Sequence, residues 1–120
     1  MKRLFSPNDL EPIRQRLMKE SPQHRLGHFA SDLLRIANFV ESGAIEETKP
    51  ILRESKWFAE WIAAEAPLDT QVLLLEVQRF LSRTELKWNS QNPTQQEIQE
   101  TIPAFKNWSQ ELLKHGEFLK

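Results

Sequence analysis

The placement of proline and glycine constrains this chain more than any other feature. There are only three glycines and seven prolines in 120 residues, and most of the prolines fall where a helix would begin or end. That is the punctuation of an all-helical chain. Ser6 followed by Pro7 predicts the start of a first helix, with Leu10, Ile13 and Leu17 as its narrow apolar stripe. Ser21 and Pro22 repeat the device, and Gly43 stands just past the expected end of helix 2. Helix 3 is expected to start at Thr48–Pro50, with room for an extra turn over Ile45–Glu47.

Asp69 is the expected N-cap of helix 4. Thr94-x-x-Glu97 is a capping-box pattern opening helix 5, Gly116 suits its C-cap, and Pro103 inside it predicts a kink. Short connections favour antiparallel neighbours. The expected fold is therefore all-α, an antiparallel up-and-down bundle of four to five helices forming one domain over residues 1–120.

A helix that only has to fold carries one apolar stripe. At about 100° per residue, helix 5 obeys this with Ile98, Ile102, Phe105, Leu112 and Leu113. Helix 2 nearly does, leaving Leu34 and Phe39 over. Helices 3 and 4 carry more than they need. On helix 3, Ile51, Leu52, Phe58, Ala59 and Ile62 suffice for a core face, while Trp57, Trp61 and Ala64 point elsewhere. On helix 4, Leu73, Val77, Phe80, Leu81 and Trp88 suffice, while Val72, Leu75 and Leu86 lie nearly opposite, beside Arg79.

The two helices are consecutive, so their surplus stripes can merge into one patch. A central helix packed on two sides explains a second stripe, and so does an interface, where Trp and Arg are enriched. An intertwined dimer satisfies both, and a ligand-stacking platform is a third account. The candidate interface is Trp57, Trp61, Ala64, Val72, Leu75, Arg79 and Leu86.

Charge and composition then narrow the function classes. Sixteen basic and seventeen acidic residues leave a net charge of −1, which supplies no general attraction to nucleic acid or to an anionic membrane. With no cysteine, disulfides and thiolate metal sites are excluded, and cytosol is the expected compartment. The opening MKRLFSPNDLEP is broken by proline before any apolar run develops, so neither a signal peptide nor a membrane anchor is expected.

Chemistry-bearing patterns are few. His24, His28 and Asp32 form an i, i+4, i+8 ladder able in principle to chelate a divalent metal. The zincin glutamate beside the first histidine is replaced by Arg25, a third ligand is not evident, and the ladder lies opposite the core stripe of helix 2. A solvent-exposed polar face is expected there, with no metal. Arg79, Arg83 and Lys87 form a basic ladder, but Glu76 and Glu85 interleave with it, so nucleic-acid binding is not expected. No nucleophile elbow or phosphate-cradling glycine loop is present.

The expectation is therefore a non-enzymatic protein without a cofactor or small-molecule ligand. It acts through protein contacts, as a homodimer or an accessory subunit. The alternatives are a metal protein or enzyme built on His24, His28 and Asp32, and a nucleic-acid module built on Arg79, Arg83 and Lys87.

Overall fold

The computed structural model describes residues 7–117 and consists of five α-helices: α1 Pro7–Met18, α2 Pro22–Glu41, α3 Ile45–Ala64, α4 Leu68–Ser90 and α5 Gln95–Glu117. Local chemistry sets most of these ends. Ser21 caps α2 by accepting from the His24 amide at 3.2 Å, with Pro22 in the first helical position. Gly43 takes φ +85° just beyond α2, the left-handed turn that a residue with a Cβ rarely adopts. The Thr94–Glu97 capping box is formed in both directions, at 2.9 and 3.2 Å.

Four ends depart from expectation or escape it. α3 begins at Ile45, and Thr48 sits inside it with its hydroxyl donating to the Ala44 carbonyl at 2.8 Å. Pro67 holds the N-cap position of α4 without a capping hydrogen bond, which leaves Asp69 in the first turn, where its charge favours the positive helix end. Gly116 is not a C-cap. It lies within α5, buried, where a Cβ would stand 3.7 Å from Gln23. Ser6 lies outside the described residues. α5 runs on through Pro103, whose ring is on the exposed side of the helix.

Helices α2 to α5 close a ring in which each packs antiparallel to its neighbours. The Arg25–Glu65 pair joins the start of α2 to the end of α3. Gln71 donates to the Ala63 carbonyl and Glu85 meets Arg53, which fixes α4 against α3. Lys87–Glu97 at one end and Thr70–His115 at the other align α4 with α5. Ser109 Oγ donates to the buried Ala30 carbonyl at 2.9 Å, which aligns α5 with α2. Leu26, Phe29, Leu33, Ile36, Leu52, Phe58, Val77, Leu81, Phe105 and Leu112 fill the centre. Leu113, expected on that face, is instead exposed. No helix of the described residues is long and apolar enough to cross a membrane.

α1 stands outside the ring and packs on α3. The Arg16 and Leu17 carbonyls at its end accept from the Lys19 and Glu20 amides, but the Met18 carbonyl and the Glu20 carbonyl just beyond need another donor. Arg25 supplies it, with Nε to the Glu20 carbonyl at 3.0 Å and Nη2 to the Met18 carbonyl at 2.6 Å. One buried guanidinium thereby ties α1 to α2 and, through Glu65, to the end of α3.

Candidate functional site

The rotation of α4 is fixed by polar side chains. Glu85 is buried and accepts from Lys56 Nζ at 2.6 Å and Arg53 Nε at 3.0 Å. Burial alone would raise its carboxyl, but the hydrogen bonds from Lys56 and Arg53 hold it below the ordinary value. Gln78 donates to the Lys56 carbonyl at 3.3 Å. With Gln71, Leu74, Gln78 and Glu85 turned to α3, and Leu73, Val77 and Trp88 turned to the bundle, one arc of the helix is left over. It carries Leu68, Val72, Leu75, Arg79 and Leu86.

These side chains are open to water. Leu68 and Leu86 are 72% exposed, Val72 51% and Leu75 47%. Leu75 also lines an apolar groove of about 360 Å³ between α3 and α4, whose far wall is Ala59, Ala63 and Ala64. Small residues on α3 leave this groove open, so Ala64 and Leu75 from the candidate interface share one surface. Arg79 is exposed beside them.

Trp57 and Trp61 behave differently from the α4 residues. Their rings stack at 6.4 Å and 26°, and Trp61 also leans on Phe58 at 5.6 Å. Trp61 is half-buried against the core, and Trp57 reaches it only by stacking on Trp61. The second stripe of α3 thus turns toward the side where Glu54 and Phe58 meet α1, leaving only its Ala64 end facing α4.

The histidine–aspartate ladder fans out from water into the protein. His24 is exposed. His28 lies edge-on to Phe58 at 5.8 Å, with Nδ1 3.7 Å from Glu20. Asp32 is buried, 6% exposed, which corrects the expectation of a wholly solvated face. The helical wheel places it at the margin of the α2 stripe, about 100° from Leu33, and Ile13, Arg16 and Leu17 of α1 stand over that side. Burial raises the Asp32 carboxyl, and the charges of Arg35, at 3.7 Å, and His28 oppose this only in part. Glu54 is raised by burial and by the charge of Asp32.

Glu20 Oε1 is buried without a described partner in the same corner. Among the described residues, no group of three His, Asp or Glu side chains stands close enough to hold a metal ion. The corner can store unfavourable charge, but the ladder does not converge on a point.

The basic ladder is partly neutralised. Lys87 pairs with Glu97 at 2.6 Å, and that hydrogen bond raises the Lys87 ammonium and holds Glu97 down to about 2. Arg83 faces the same α4–α5 groove, which Glu97 and Glu100 also line. Three residues organise these surfaces, Arg25, Asp32 and Glu85: sequence reasoning read Asp32 and Glu85 as solvated and gave Arg25 no structural role. All are charged and buried, and the only signal was their position at the margins of apolar stripes. Compared with protein-family models, curated proteins and solved structures, the chain matches none.

Proposed function

We propose that the chain is a protein-binding subunit whose docking surface is the outer arc of α4 together with the α3–α4 groove. One observation carries this. Four large aliphatic side chains, Leu68, Val72, Leu75 and Leu86, are about half or more exposed on one face of one helix. Scattered exposed leucines need no explanation, but a row of them on an otherwise well-filled bundle does. Elsewhere among the described residues the large exposed apolar side chains are only Leu34 on α2 and Leu113 on α5. A stripe of aliphatics beside a shallow apolar groove is the complement of another helix. We place the contact in the cytosol, because the chain contains no cysteine.

A photoreactive residue at Leu86, in cells of the source, tests this. It should give a covalent protein adduct that Val72→Glu abolishes, while the same probe at exposed Gln110 on α5 gives none. No adduct from Leu86, or one that Val72→Glu leaves unchanged, overturns the proposal.

A further inference from the structure

The exposed apolar side chains of α4 fall in one line along the helix. Leu68, Val72, Leu75, Arg79, Ser82 and Leu86 follow one another at alternating steps of four and three. That is the a/d spacing of a coiled-coil seam, which keeps one line of side chains facing a partner helix. At about 1.5 Å per residue the seam is about 27 Å long. It is apolar at both ends and polar in the middle, at Arg79 and Ser82. Ser82 is half-buried and Arg79 exposed.

We propose, building on the docking role of this face, that its occupant is a second copy of the same chain. The two α4 helices would pair antiparallel about a two-fold axis beside Glu76 and Val77. The order of side chains selects this arrangement. Antiparallel pairing about that axis sets Leu68 against Leu86 of the second copy, Val72 against Ser82, and Leu75 against the aliphatic stem of Arg79. Parallel pairing would instead set Arg79 against Arg79 at the centre of the seam, where like charges repel.

The flanking charges agree. The outer flank carries Asp69, Glu76 and Arg83, all exposed. Antiparallel pairing brings Asp69 toward Arg83 of the second copy at each end. The two Glu76 carboxylates meet at the axis, a like-charge contact that the Arg79 guanidinium beside each one offsets. The inner flank cannot compete for partners, because Gln71, Gln78 and Glu85 are already bonded to α3. A seam this short sits at the low end of stable interfaces, about 1,200 Å² of total buried surface. The dimer is therefore concentration-dependent.

The absence of cysteine makes disulfide trapping clean, since only introduced thiols can react. Under mild oxidation, Glu76→Cys alone should form covalent dimer, because that position meets itself at the axis. Leu68→Cys alone and Leu86→Cys alone should form no covalent dimer, while an equimolar mixture of these two variants should cross-link. Sedimentation of the wild-type chain should show a reversible monomer–dimer equilibrium that Glu76→Arg shifts by at least about tenfold, equivalent to about 1.4 kcal/mol.

Self-cross-linking of Leu68→Cys as strong as that of the mixture overturns the antiparallel arrangement. A wild-type chain that stays monomeric at every accessible concentration overturns self-pairing altogether. The docking role survives that second result if the Leu86 adduct in cells is a different protein, and fails with it if there is no adduct.

Discussion

Arg25 Nη2 donates to the Met18 carbonyl at 2.6 Å, so a side chain of α2 closes the C-terminus of α1. Its Nε takes the Glu20 carbonyl and its Nη1 approaches Glu65, all from a residue only 8% exposed. Leu10 and Leu17 bury the apolar stripe of α1, and this guanidinium adds a polar tie at its C-terminal end. Arg25→Met keeps the aliphatic stem but leaves the carbonyls without their donor. We expect a loss of about 2–3 kcal/mol in urea unfolding, the range for hydrogen bonds from a charged group. Amide exchange should rise in α1 before it rises in α4 or α5.

Glu85 gives the fold an acid limit. Its folded carboxyl lies below the ordinary value because Lys56 and Arg53 hydrogen-bond to the charged form. The stability it adds is fully present above the unfolded value of 4.5 and is lost as pH falls through the lower folded value. Glu85→Gln should melt lower than wild type at neutral pH, with the gap narrowing below about pH 4. A constant gap across that range would assign the effect of Glu85 to packing.

Asp32 acts in the opposite sense. Its folded carboxyl lies above 3.8, so its favourable contribution is present below that value and is lost as pH rises through the folded one. At neutral pH a buried, poorly bonded carboxylate is a burden on the α1–α2–α3 corner. Asp32→Asn should therefore melt higher than wild type at pH 7, and the advantage should shrink as the carboxylates are protonated. Thermal melts between about pH 4 and 8 measure this directly.

The helix ends were legible because they depend on neighbouring residues: Ser21 with Pro22, Gly43, and Thr94 with Glu97 each carry their own local chemistry. The identity of what covers each face was not. Asp32 and Arg25 flank the apolar stripe of α2, and a wheel assigns such charged residues to water. They are buried because α1 folds back over them, a contact between segments that no single-helix periodicity encodes. Leu113 shows the converse: it has the right phase on α5 but lies at the edge of the α2–α5 contact, lining an open cleft with Gly27 and Ser31, and is half exposed. The surplus on α4 was visible as a stripe, but its openness became visible only with Glu85, Gln71 and Gln78 fixing the rotation.

Trp61 and Trp57, identical in type and four residues apart, should separate in their effects. Trp61 packs on Phe58 and the core, so Trp61→Ala should cost about 2–3 kcal/mol, below the cost of deleting a fully buried aromatic. Trp57 packs on Trp61 alone among the aromatic rings described, so Trp57→Ala should cost about 1 kcal/mol, the worth of a stacked pair. Neither change should alter self-association. Denaturant unfolding together with sedimentation checks both statements.

The most direct test is sedimentation equilibrium of the wild-type chain and of Val72→Glu/Leu86→Glu, from micromolar to millimolar concentration. Both positions are exposed, so the variant should keep wild-type helicity and melting temperature. The wild-type mass should climb from monomer toward dimer, while that of the variant stays at the monomer value of 14.1 kDa. A variant that associates as the wild type does would contradict the assignment of α4 as the surface on which this protein meets its partner.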